Sequence, residues 1–299
     1  MNFALSSSFA LWKITLIVGR HGNSVPARYW SYRLNRGRFE LSKPLALVTN
    51  ALEFAGPPAV AALQDAGFQV VAHDISFATP SGLETYRDAN PNVVALAAQT
   101  PIEMVEAAWM IDNRLDVLIS NDAYRPIHGS IECAETADLQ ATFERLVVFP
   151  FELARAAIPR LKARPGARIV VVTSNRNRLP LPGGAIPDIA RAGANALVKS
   201  LCLELAPHGI PVNAIAANYL YSETYYPRAR FVDDAAGRAY IERVVPAGRL
   251  ARPEEIGELI RYLATMKGTF LTGAIIDFSG GWPVALSPPD WAGLERAAE

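Results

Sequence analysis

The chain has 299 residues, 51% of them apolar and 19% charged, and its 29 basic and 29 acidic side chains leave a formal net charge of zero at pH 7. That balance excludes a nucleic-acid surface, which needs a basic surplus to neutralise phosphates, and the apolar content excludes a disordered chain. Two cysteines, Cys133 and Cys202, permit one bridge at most and carry no metal-ligand spacing, which excludes a disulfide framework and a structural zinc site.

Residues 1–20 are apolar but lack a positive start and a small-residue cleavage pattern, and Lys13 interrupts them, so no leader is expected. No run of about 18 apolar residues occurs anywhere, so no membrane-spanning helix is expected and a cytoplasmic location follows. Residues 20–40 are Arg-rich and aromatic without a sustained period. Residues 1–42 are therefore expected to be a poorly ordered extension, or to lie upstream of the true translation start.

From Pro44 onward short apolar runs alternate with helical stretches. Leu45–Val48 reads as a buried strand, Ala59–Ala66 as a helix closed by Gly67, and Phe68–Ala72 as a second strand. Val93–Leu96 is a weaker strand, Glu103–Ile111 has helical spacing, and Asp116–Ile119 is another strand. Leu139–Leu161 reads as one long helix, followed by the β-branched strand Arg168–Val172. Ile189–Leu205 is a helix, Val212–Ala216 a strand, Pro253–Thr265 a helix with Pro at its start, and Ala274–Phe278 the last strand. Strands separated by helices require crossover connections. The expectation is one α/β domain over residues 43–299, a Rossmann-like, doubly wound parallel sheet with helices on both faces.

In such a sheet ligands collect at the carboxyl ends of the strands, beginning with the first turn. Here that turn is Thr49-Asn50-Ala51-Leu52-Glu53-Phe54-Ala55-Gly56. A dinucleotide needs glycines there, so that its pyrophosphate reaches the backbone and the helix N-terminus. Asn50 and Phe54 stand where short-chain dehydrogenases have two of those glycines, and a phenyl ring at 54 projects where a nicotinamide–ribose unit needs space. Asp74 lies about 20 residues on, where an acidic residue often holds a ribose hydroxyl; it is read here as structural.

The turn Thr49…Phe54…Gly56, the stretches VTNALEFAG, VVAHDISF, DVLISND, ARAGA, ANYLYSE and LTGAIIDFSGGWP, and Ser120-Asn121-Asp122-Ala123 in place of the dehydrogenases' N-N-A-G together resemble the halohydrin dehalogenases. Those relatives of the short-chain dehydrogenases use the dinucleotide's space for a halide. The resemblance covers about 240 residues of the chain. It implies no cofactor and no metal, a small haloalcohol or epoxide and a halide as the ligands, and a homotetramer.

The same family carries S-x12-Y-x3-R, in which positions four apart share a helix face. The cation then favours the phenolate, which takes the proton from the substrate hydroxyl. Ser174 and Arg191 match this pattern, but the position thirteen after Ser174 and four before Arg191 is Pro187. Asp188 is a poor substitute base, about 100° round the helix. The resemblance further implies a halide and substrate side built from Thr49, Asn50, Phe54, Gly56, Asn218, Tyr219 and Leu220. Asp122 is read as orienting it, and Tyr225, Tyr226 and Pro227 as continuing a substrate loop. Ala217 stands where close relatives have Pro. Weak or absent turnover, gained on Pro187→Tyr, is the expectation; a catalytically silent protein and an NAD(P)-dependent oxidoreductase with a degenerate site are the competing ones.

Overall fold

Most of the apolar runs become strands because they are sealed on both faces, the condition under which a parallel strand reads as continuously apolar. The edge strand Ile275–Phe278 is only half-buried, with Asp277 exposed. In the computed structural model, which describes residues 43–284, the strands are β1 (Leu45–Val48), β2 (Gln69–His73), β3 (Val93–Leu96), β4 (Val117–Asn121), β5 (Arg168–Thr173), β6 (Val212–Ala217) and β7 (Ile275–Phe278). They form one sheet in the order β3-β2-β1-β4-β5-β6-β7, every pair parallel. The expected extension at 1–42 lies outside the described residues.

Alternation along each strand divides the core into two layers. Ala46 and Val48 point towards Ala59 and Leu63 of α1 (Gly56–Asp65) and Ile256 and Ile260 of α9 (Pro253–Thr265). Leu45 and Leu47 point the other way, towards Met104 of α3 (Pro101–Asp112), Leu153 of α5 (Phe149–Lys162) and Val198 of α6 (Ala185–Leu205). Among the described residues no helix is long and apolar enough to cross a membrane.

Four departures from the sequence expectations have local causes. A helix α2 (Pro80–Ala89) forms behind Thr79, whose Oγ1 accepts the Gly82 N–H and whose next residue is a proline at N1. The expected single helix Leu139–Leu161 is three pieces: α4 (Thr136–Phe143), a π-turn Glu144–Val148 and α5. Pro150 has no N–H to continue an α-ladder, and the wide turn just before it makes room for the ring, with the Phe149 N–H donated five residues back to Glu144 O. The helix α6 starts at Ala185, four residues before Ile189. Its first paired amide is that of Asp188, on Gly184 O at 3.0 Å, so Pro187 occupies a first-turn position whose N–H has no partner in any helix. Finally, β4 runs on to Asn121, past the apolar run, because its polar end residues are bonded within the protein. Two further helices, α7 (Arg228–Phe231) and α8 (Ala235–Val244), follow β6.

The connections leave β1 and β4 in opposite directions, which opens a crevice beyond their carboxyl ends. Every residue expected at the site lies on that side.

Candidate active site

The first turn is clamped to the end of β4. Asn121 Nδ2 donates to Asn50 O (2.9 Å) and Glu53 O (2.8 Å), Asn50 Nδ2 returns a bond to Asn121 O (2.6 Å), and Thr49 Oγ1 accepts the Asn121 N–H (3.1 Å). Asn50 and Phe54 both have positive φ, 47° and 52°. Those are conformations that suit glycine and that Phe adopts only when its surroundings fix it. Here the fixing contact is Tyr225, whose ring meets that of Phe54 edge-on at 4.9 Å. Gly56 is required by space: a Cβ there would stand 2.2 Å from Asn50 O. Asp74 is committed as well, with Oδ2 accepting the Leu52 N–H (3.1 Å) and Oδ1 the Ser76 N–H (3.0 Å) and hydroxyl (2.8 Å). The turn therefore offers neither bare backbone for a pyrophosphate nor a free carboxylate for a ribose, and its residues do not fit a dinucleotide.

Ser174 directly follows β5, with Oγ accepting the Arg176 N–H at 3.2 Å and its carbonyl taking Asn195 Nδ2 at 3.0 Å. Arg191 projects from α6 into the same crevice and is buried. Its Nη1 donates to the Asp122 carbonyl (2.9 Å) and its Nη2 to Tyr225 Oη (3.0 Å). Pro187 lines the cavity one turn earlier. Asp188, next to it, pairs with Arg176 and so is held as a carboxylate partner at the start of α6.

On the far side, Asn218 Oδ1 gathers the Tyr219 N–H (3.0 Å) and Tyr226 Oη (2.7 Å). Tyr219, at φ 54°, packs against Tyr226 and Trp282 with centroids 5.3 and 5.8 Å away. Burial pushes both tyrosine hydroxyls strongly towards the neutral form. Leu220 turns inward and is fully buried in the same core layer against which Phe54 packs. The result is an apolar, aromatic-edged end to the crevice.

Asp122 is fully buried with one oxygen on Ser120 Oγ (2.7 Å) and the other unpartnered. Burial raises its pKa to about 8, against the opposing pull of the Ser120 hydrogen bond and the Arg191 charge.

Phe54, Ser174, Pro187, Arg191, Asn218 and Tyr219 thus share the wall of one cavity of about 820 Å³. Thr49, Asp122 and Leu220 are buried behind that wall, and Asn50 and Gly56 shape the turn that bounds it. Sequence reasoning missed three contributors: Tyr124, Arg176 and Trp282, all on the wall. It also assigned Tyr225 to the substrate loop without its bond to Arg191; the Tyr225-Tyr226-Pro227 run was the available signal. Among the described residues no cluster of His, Cys, Asp and Glu could hold a metal ion.

A family profile described as enoyl-(acyl carrier protein) reductase matches residues 56–283. The human "Dehydrogenase/reductase SDR family member 4" is 27% identical over 183 residues, 61% of this chain and 65% of that relative. The chain thus matches just under two thirds of that relative's length. A solved structure described as a dehalogenation enzyme is 34% identical, with 82% of this chain and all of that chain covered at a TM-score of 0.77. A halohydrin dehalogenase bound to ethyl (2S)-oxiran-2-ylacetate is 33% identical, with 82% and 99% covered and a TM-score of 0.79.

Proposed function

Because the chain belongs to the short-chain dehydrogenase/reductase family, we propose that it is a branch in which the dinucleotide's place has gone to a small anion, and that it interconverts vicinal haloalcohols with epoxides and halide. In reverse it opens epoxides with small anions. The observation that carries this reading is Phe54, held at a glycine position of the first turn with its ring packed against Tyr225.

Ser174 Oγ, fixed just after β5, receives the substrate hydroxyl and sets its position. Arg191, buried and hydrogen-bonded to the Asp122 carbonyl and Tyr225 Oη, supplies the positive charge that stabilises the developing alkoxide. The departing halide, large and weakly hydrated, is received by the dry aromatic end around Asn218, Tyr219 and Trp282. Assembly as a homotetramer belongs to the same proposal, supported by the exposed apolar side chains Ile189 and Leu203 on α6 and Phe151 on α5. Pro187 favours the second reading, a binding protein of the same fold without turnover.

A thermal scan separates these readings from an oxidoreductase. Bromide at about 100 times its dissociation constant is expected to add about 2.7 kcal/mol of stability, read as a rise in Tm of several degrees. NADH and NADPH at millimolar concentration are expected to leave Tm unchanged. A nucleotide-induced rise without a bromide effect would contradict the reading.

A further inference from the structure

Pro187 cannot take a proton, yet the guanidinium one turn further along α6 does meet a phenol. Arg191 Nη2 donates to Tyr225 Oη at 3.0 Å, and the Tyr124 N–H donates to the same oxygen at 3.0 Å. The hydroxyl proton goes to Tyr124 O at 2.9 Å. Two N–H donors, one of them charged, converging on one oxygen are the arrangement that a developing oxyanion needs.

Tyr225 is also fixed in place. Its ring is set by the edge contact with Phe54, and its loop is pinned by the Tyr226 N–H on Ser222 O (2.9 Å) and the Tyr225 N–H on Ser222 Oγ (3.3 Å). It lines the same cavity as Ser174 and Asn218.

We propose that Tyr225, from the loop after β6, is the catalytic phenol of this site, replacing the helix position at which the chain has only Pro187. This rests on the haloalcohol reading. As the phenolate, Tyr225 Oη takes the proton of the substrate hydroxyl. The freed oxygen lone pair forms the new bond to the neighbouring carbon, and the carbon–halogen bond breaks, its electron pair leaving with the halide. Tyr225 then returns the proton to water, so haloalcohol gives epoxide, halide and one proton. In reverse the phenol protonates the epoxide oxygen as the anion attacks carbon.

The test is bromide release from 1-bromo-2-propanol by the wild type, Tyr225→Phe, Pro187→Tyr, and the variant carrying both substitutions, with the bromide-induced Tm shift as a check on folding and on the pocket. Phe keeps the ring contact with Phe54 and removes only the hydroxyl. Tyr225→Phe is expected to lose at least about 100-fold in kcat, with KM and the bromide shift held within about threefold. Adding Pro187→Tyr to it is expected to restore part of the loss. Turnover by Tyr225→Phe within about threefold of wild type would overturn the assignment and leave the haloalcohol reading standing. An inactive wild type made active by Pro187→Tyr would do the same. A wild type that neither turns over nor binds bromide would overturn both.

Discussion

Asp122→Asn is expected to stabilise the protein by several kcal/mol at pH 8 and to give no gain at pH 4. In the folded chain Asp122 ionises only near pH 8, whereas in the unfolded chain it does so near 3.8. Native stability therefore falls as pH rises through that interval, at about 1.4 kcal/mol per unit, for a total of about 6 kcal/mol. The first cause is burial, and Ser120 and Arg191 offset only part of it. His73 works in the opposite direction. Buried at the end of β2 with Nδ1 unpartnered, its pKa is lowered from 6.5 to about 4, chiefly by burial, with Asp74 opposing. Its contribution is lost as pH falls from 6.5 to 4, at the same slope. The two slopes cancel in the wild type between about pH 4 and 6.5, and only the Asp122 slope remains above that. Urea unfolding at pH 4, 6 and 8 checks the account. Asp122→Asn should flatten the alkaline side and uncover the acid loss from His73. Identical pH profiles for variant and wild type would mean that Asp122 is already charged in the fold.

Arg191→Met is expected to lower kcat for halide release by about 10³-fold, since it removes the one cation that meets both the Asp122 carbonyl and the Tyr225 hydroxyl. Methionine keeps the apolar stem in its buried place. Loss of the charge also removes one of the two influences that hold the Asp122 pKa down, so the fall in stability, at an unchanged slope, should continue further above pH 8. Rates and unfolding curves for the same protein read both effects. A variant that loses rate while its pH profile stays that of the wild type would separate the guanidinium from Asp122 and contradict the network described here.

Much of this network was legible along the chain, and the parts that were not share a physical reason. Strands such as Arg168–Thr173 announce themselves because burial on both faces leaves, after Arg168, only the β-branched residues Ile169–Thr173. The turn Thr49–Gly56 was readable because φ and close approach restrict which residues can stand there, and Phe54 is visible as an exception to that rule. The end of β4 was not readable. Ser120 and Asn121 look like loop residues until their partners, Asp122 and the first turn, are known. The π-turn before Pro150 depends on how a helix resolves a missing N–H, which has more than one solution. Least visible was Tyr225. It reaches Arg191 across 34 positions of sequence, through a loop whose path is set by Ser222 and by a side chain on the opposite edge of the crevice. Spacing rules describe neighbours on one helix face, and a phenol delivered from elsewhere falls outside them.

The central claim is that this crevice turns over a haloalcohol without a nucleotide. It is tested most directly by incubating the purified wild type with 1-bromo-2-propanol in nucleotide-free buffer and quantifying bromide and epoxide together. The account predicts saturable release of bromide matched one for one by propylene oxide, unaffected by added NAD(P)+ or NAD(P)H. Bromide release no faster than in buffer alone, from a protein that instead reduces or oxidises a nicotinamide cofactor with an alcohol or ketone, would contradict it.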